Sequence, residues 1–202
     1  MKVICVPLGP VQANCYVLIE DGRALVIDPG DDFRDLKQIL KRHDARLEAV
    51  LLTHAHFDHI GGLDALLQEY DVDVYMNPLE FSFLSSAALN GSSAFGGYLS
   101  SQARPEPVKD GMNRIGGFDV EAITLPGHTT GSTVYIIQGM AFTGDVLFQG
   151  SVGRTDLPTG SWQQMQESIA RLKQLPDSLI VYPGHGPATT IGQEKSWNPY
   201  FR

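Results

Sequence analysis

Between Leu51 and Gly62 the chain reads Leu-Leu-Thr-His54-Ala-His56-Phe-Asp58-His59-Ile-Gly-Gly. Four side chains able to bind a divalent metal fall within six residues, between an apolar run and the start of a helical pattern. Neutral imidazole and carboxylate are donors that zinc, iron and manganese accept. Cysteine is missing from the cluster, which argues against a closed structural zinc site. His54 and His56 are two apart, so extended backbone puts both on one side. Asp58 and His59 follow a bend and can face a second centre, while Gly61 and Gly62 permit close helix packing beside the crowded loop. A single histidine here would read as a core residue satisfied by hydrogen bonds. The group of four does not.

The same placement recurs downstream. His128 follows the apolar Ile123-Thr-Leu and a Pro-Gly turn, Asp145 follows Ala141-Phe-Thr-Gly, and His185 follows Leu179-Ile-Val-Tyr-Pro-Gly. Each ligand-type residue terminates an apolar strand, as a shared site at one sheet edge requires. Seven such side chains suffice for two metals sharing one carboxylate, or for one metal with spares. His43, the sixth histidine, ends a helical pattern, where a cation meets the negative end of the helix dipole.

The elements that would position these groups follow from periodicity. Val3–Val6, Cys15–Glu20 and Ala24–Asp28 read as strands, with Asp21-Gly22 as a hairpin turn. Phe33, Leu36, Ile39 and Leu40 recur at helical spacing behind Asp31 and Asp32. Ala49–Leu52 reads as a strand buried on both faces, followed by a helix carrying Leu63, Leu66, Leu67 and Tyr70. Val72–Met76 is a further strand, and Leu79–Ala88 reads as helical. Leu89–Val108, rich in Gly, Ser and Pro, reads as a long surface excursion near the site, either substrate lid or subunit contact. Phe118–Leu125, Thr133–Gln138 and Met140–Thr143 are strands, the last two joined through Gln138-Gly139. Ser161-Trp-Gln-Gln164 is a capping-box pattern opening a helix with Trp162, Met165, Ile169 and Leu172 inward. Leu179–Tyr182 reads as the final strand. No linker divides residues 1–202, so one domain is expected.

Composition bounds the function. The chain has 202 residues, with 23 acidic against 15 basic side chains and a formal net charge of −8. That balance argues against a general nucleic-acid or anionic-membrane binder. No apolar run approaches the roughly 20 residues that span a bilayer. Two cysteines, Cys5 and Cys15, are too few for a disulfide framework, and the first twenty residues lack a signal-peptide pattern, so a cytoplasmic setting is expected.

With His54–His59, His128, Asp145 and His185 in this order over almost the whole chain, the sequence resembles the metallo-β-lactamase superfamily. Within it the sequence is similar to the glyoxalase II-like (hydroxyacylglutathione hydrolase-like) hydrolases. The resemblance implies an α/β fold (α+β in some schemes), a four-layer αββα sandwich with the site at one edge of two sheets. It also implies that His54, His56 and His128 bind one metal, Asp58, His59 and His185 the second, and that Asp145 bridges them. Zinc is the first expectation for both ions, with iron or manganese accepted by the same donors. The commonest β-lactamases carry Cys in place of Asp145 and Arg in place of His59, so antibiotic hydrolysis is not expected.

Only Gly186–Arg202 follows His185, whereas full-length glyoxalase II adds a helical domain that grips glutathione. That tail and Gly150–Gly160 are similar to the short bacterial branch of these hydrolases. Arg154, Lys195 and Arg104 remain as basic candidates for a substrate's carboxylates, against bland readings as an ion pair with Asp156, a solvated tail and a loop charge. The implied activity is metal-dependent thioester hydrolysis of S-D-lactoylglutathione or a related hydroxyacyl thioester, with a metal-bridging hydroxide as nucleophile and Asp58 as its orienting carboxylate. Three alternatives stand beside it. A persulfide dioxygenase would hold one iron at His54, His128 and Asp145, but Gly184-His185-Gly186-Pro187 looks like a hydrolase's second-metal ligand. Lactone hydrolysis needs the same carbonyl attack, and a metal-binding module would have no turnover. The partner expected is a small-molecule thioester, and the oligomeric state stays open.

Overall fold

Alternation along the central strands divides the apolar residues into three layers. On β2 (Ala13–Glu20) and β3 (Arg23–Ile27), Tyr16, Leu18, Leu25 and Ile27 point one way, while Val17, Ile19, Ala24 and Val26 point the other. Strands buried on both faces must be covered twice. In the computed structural model, which describes residues 1–201, this is what happens.

β1 (Lys2–Leu8), β2, β3, β4 (Arg46–Leu51), β5 (Asp73–Met76) and β6 (Glu106–Pro107) form a sheet in that order. It is antiparallel from β1 to β3 and parallel from β3 to β6. The second sheet runs β14-β13-β10-β9-β8-β7, built from β7 (Gly111–Ile115), β8 (Phe118–Thr124), β9 (Thr133–Ile137), β10 (Met140–Gly144), β13 (Ile180–Pro183) and β14 (Thr189–Thr190). A small hairpin of β11 (Leu147–Phe148) and β12 (Ser151–Val152) stands beside it.

Between the sheets lies a core including Tyr16, Leu25, Ile27, Leu51, Phe118, Val120, Tyr135 and Phe142. On the outer face of the first sheet, α1 (Leu36–Arg42), α2 (Phe57–Ile60) and α3 (Leu63–Glu69) bury Leu36, Leu40, Ile60, Leu63 and Leu66. On the outer face of the second, α4 (Trp162–Leu172) and α5 (Ile191–Trp197) bury Met165, Ile169, Leu172 and Ile191. The architecture is the αββα sandwich. No helix among the described residues is long and apolar enough to cross a membrane.

The turns at Asp21-Gly22 and Gln138-Gly139 take positive φ at both central residues, as two-residue hairpins require. Ser161 caps α4, its hydroxyl accepting from the Gln164 amide at 3.3 Å. Several expectations are corrected. Trp162 is 45% exposed rather than inward, because it is the first residue of α4 and stacks edgewise on Tyr200. Of the helical reading over Leu79–Ala88 only residues 79–83 are helical, within a 3-10 turn (Pro78–Phe83) started by the Asn77 side chain. Residues 89–108 are tied down in part: Asn90 is buried and donates to the Phe83 and Leu99 carbonyls. Strand β13 is not the last, since Thr189–Thr190 pairs back on it and Thr190 caps α5. The hairpin strand β7, rich in polar residues, carries no apolar alternation that would have marked it.

Candidate metal centre

Strands β3 and β4 are parallel, so the residues following them meet at one edge: Asp28 after β3 and Thr53–His59 after β4. Strands β10 and β13 are also parallel, and β8 runs with them through β9. The loops carrying His128, Asp145 and His185 therefore leave the second sheet at a common edge. Cross-sheet hydrogen bonds bring the two edges together. Tyr135 Oη donates to the Leu52 carbonyl at 2.8 Å, Thr133 N to Thr53 O at 2.8 Å, and Tyr16 Oη to Pro183 O at 2.6 Å.

The structure brings all seven sequence-predicted donors to this seam. One cluster is His54, His56 and His128; a second is Asp58, His59 and His185; Asp145 joins His54 and His59 in a third grouping between them. Within each, the donor atoms lie within 4.8 Å of one another. His56 Nδ1 is 2.8 Å from His128 Nε2, and His185 Nε2 is 3.2 Å from Asp58 Oδ2. Asp145 Oδ2 lies 3.6 Å from His128 Nε2 and 3.7 Å from His185 Nε2, while its Oδ1 is 3.4 Å from His59 Nε2. One carboxylate thus faces both clusters.

The nitrogens turned away from the seam are held. His59 Nδ1 bonds the buried Asp28 carboxylate at 2.9 Å, His54 Nδ1 the Thr53 hydroxyl at 3.1 Å, and His128 Nδ1 the Arg154 carbonyl at 2.8 Å. Such partners fix ring orientation and tautomer in metal-binding histidines. The atoms turned inward are different. His54 Nε2, His59 Nε2 and Asp145 Oδ1 are buried and have no hydrogen-bond partner, while His56 turns Nδ1 to the seam and leaves its Nε2 buried without one. Buried polar atoms are nearly always paired, and three unpaired ones brought together from two segments of the chain fit a bound cation.

Electrostatics agrees. Burial, with the neighbouring imidazoles, holds His54 well below its ordinary value and His56 at about 3, so both are neutral and able to donate a lone pair. Burial would depress His59 as well, but Asp58, Asp145 and Asp28 outweigh it and raise it well above the ordinary value. Burial raises Asp58 and Asp145, yet His59 and its neighbours hold both carboxyls below the usual range. The proton on His59 answers the carboxylates that a dication would answer.

Two buried acids escaped the sequence reading. Asp28 accepts from Thr53 N at 2.8 Å and Thr53 Oγ1 at 2.6 Å besides meeting His59. Its signal was available: it too ends an apolar strand and precedes Pro-Gly, as His128 and His185 follow one. Glu80 is fully buried and accepts from Ala55 N at 2.7 Å, Gly131 N at 2.9 Å and the Thr129 hydroxyl. Burial pushes its carboxyl up, and these donors pull it part of the way back. Glu80 therefore braces the loop between His54 and His56 against the loop after His128. In Glu80→Gln the amide turns its own N–H toward one of those donors, leaving it unmet. The expected cost is about 1–3 kcal/mol of stability, read by urea unfolding, together with weaker metal retention against a chelator.

The basic candidates are placed differently from one another. Arg154 lines the cleft above the seam, but its guanidinium is engaged by Asp156 through two bonds of 2.7 Å. Lys195 bonds Asp177 at 2.5 Å and the Leu175 carbonyl at 2.9 Å. Those partners precede β13, at the end opposite His185, so Lys195 is removed from the site. Arg104 is exposed and outside the cleft lining. His43 follows α1 and lies 3.1 Å from Lys2 Nζ, apart from the seam.

Comparison with known proteins agrees with the geometry. The chain is 41% identical to the "Probable metallo-hydrolase YqgX" of Bacillus subtilis, over 99% of this chain and 97% of that one. It is 37% identical to the "Hydroxyacylglutathione hydrolase GloC" of Haemophilus influenzae, over 99% and 98%. Among solved structures, BLEG-1, described as a B3 metallo-beta-lactamase, superposes with a TM-score of 0.94 at 42% identity, covering 99% of both chains. TTHA1623 in a di-iron-bound form gives 0.88 at 38%, covering 98% and 100%. ETHE1 from Myxococcus xanthus gives 0.80 at 28%, covering 98% and 84%. A sequence model described as the metallo-beta-lactamase superfamily matches residues 8–185, and it is to this superfamily that the chain belongs.

Proposed function

We propose that the chain is a metal-dependent hydrolase of thioesters, with S-D-lactoylglutathione or a related hydroxyacyl thioester as substrate. The observation that carries this is the pair of donor clusters with Asp145 between them. Two divalent ions, zinc in the first instance, would be held by His54, His56 and His128 on one side and Asp58, His59 and His185 on the other, with Asp145 shared. Such ions lower the pKa of bound water from about 15.7 toward 7, which supplies hydroxide at neutral pH.

The chain's own residues do the rest. Asp58 Oδ2 faces His185 at 3.2 Å and His59 at 3.8 Å, so it is fixed where it can orient the attacking water and accept its proton. Its depressed carboxyl pKa keeps it ionised for that task. Asp28 and the Arg154 carbonyl keep His59 and His128 in one orientation throughout. Water adds to the acyl carbon, the C–S bond breaks, and the products are a carboxylic acid and a thiol. A thiolate is a weak enough base to leave without a dedicated acid, which agrees with the absence of a spare histidine among the described residues of the seam.

The GloC relative supports the thioester reading, the persulfide dioxygenase alternative would use three of the same donors, and BLEG-1 bears on the β-lactam reading that Asp145 argues against. A single set of assays separates them. The purified protein is analysed for metal and offered lactoylglutathione, glutathione persulfide and a β-lactam. Two metals per chain with thiol release are expected. One iron with oxygen uptake, or β-lactam opening without thioester cleavage, would overturn the proposal. Asp58→Ala is expected to lose turnover more severely than total metal, and unchanged turnover in that variant would refute its role.

A further inference from the structure

We infer that the cleft reads the acyl–sulfur end of its substrate and leaves the thiol carrier unread, so that one short acyl group is released alike from different thiols. The inference rests on the thioester reading above and adds what the site selects. The cleft over the seam has a volume of about 170 Å³, below the roughly 300–1,000 Å³ of sites that enclose a drug-sized ligand. A tripeptide thioester therefore fits only in part, and the part that must enter is the carbonyl and its immediate substituents.

What faces that part is apolar. Val11, Phe57, Phe95 and Leu157 line the cleft together with the donor residues. Phe95 is 59% exposed and tilted against Phe57 at a centroid distance of 5.1 Å. An exposed aromatic beside a reaction site offers contact area to a short acyl chain. What would face the carrier is nearly uncharged. A carrier with free carboxylates is gripped by unengaged cations or bidentate arginines. Among the described residues lining the cleft, Arg154 is the single permanent cation, and both of its bonds go to Asp156. Of the other two candidates, Lys195 is bonded to Asp177 and Arg104 lies outside the cleft lining.

The test compares the lactoyl thioesters of glutathione and of N-acetylcysteamine, a neutral truncated thiol, with the metal-loaded full chain. Values of kcat/KM within about fivefold of each other are expected, since a site that hydrogen-bonds the carrier would reject its absence far more strongly. Phe95→Ala is expected to lower both values by about tenfold and in equal proportion. A preference for the glutathione thioester beyond that margin, or a Phe95→Ala effect confined to one carrier, overturns the inference and leaves the thioester reading intact. Hydrolysis of neither compound overturns both.

Discussion

Replacing Asp145 by alanine is expected to strip metal from both clusters together. Its Oδ2 stands 3.6 Å from His128 Nε2 and 3.7 Å from His185 Nε2, and its Oδ1 stands 3.4 Å from His59 Nε2. One carboxylate therefore faces donors of both clusters. Losing a residue that merely supports a metal ligand costs about 10–100-fold in affinity or activity. Loss of the shared carboxylate is expected to exceed the upper figure in turnover and to leave less than about one metal per chain. The fold is expected to survive, because the carboxylate lies at the seam and not in any of the three apolar layers. Elemental analysis and chelator competition on Asp145→Ala and Asp145→Asn, beside circular dichroism of each, make the check. Two metals retained at parental affinity would show that Asp145 bridges nothing.

Gly184→Ala is the second change expected to act strongly, and it adds one methyl group. A Cβ there would lie 2.2 Å from Asp145 Oδ1, 2.8 Å from His59 Cε1 and 3.0 Å from the Gly144 carbonyl carbon. None of these can yield cheaply. Gly184 N donates to Gly144 O at 2.8 Å and Gly184 O accepts from Asn14 N at 2.7 Å, so the backbone on either side is anchored. Overpacking of this kind costs about 1–3 kcal/mol, and here the strain falls on two predicted metal ligands. Thermal unfolding should show the cost, and metal retention should fall alongside it. Gly97→Ala, where the added carbon would meet nothing nearer than 3.5 Å, serves as the control and is expected to change neither. Parental metal affinity in Gly184→Ala would mean that the two ligands move freely, against the crowding described here.

The donors were legible because each announced itself twice, by type and by following an apolar strand. His54, His56, Asp58, His59, His128, Asp145 and His185 all stood out on that ground, and the strands before them were readable from their apolar runs. What stayed hidden was pairing. Nothing local in Ala49–Leu52 or Met140–Thr143 says that β3 runs parallel to β4 or β10 to β13, and those two choices bring the loops to common edges. Glu80 was unreadable for a related reason. Its three partners, Ala55, Thr129 and Gly131, lie 25 to 51 positions away, and in sequence it is one acid among apolar neighbours. Lys195 failed in the opposite direction, since its charge is legible but its engagement by Asp177 across a turn of the fold is not. The elements β7, β14 and α5, which no apolar run announced, are only two to seven residues long, where apolar periodicity is weakest.

The seam between the two sheets also sets a schedule. One sheet delivers His54 to His59 early in the chain, whereas the last donor, His185, arrives 126 residues after His59 and on the other sheet. At a synthesis rate of about 5–20 residues per second, the first four donors are made several seconds before the second cluster can close. During that interval the His-x-His-x-Asp-His segment supplies four of the seven donors and the geometry of neither cluster. A metal held by the full donor set would therefore be captured only once the second sheet has docked on the first.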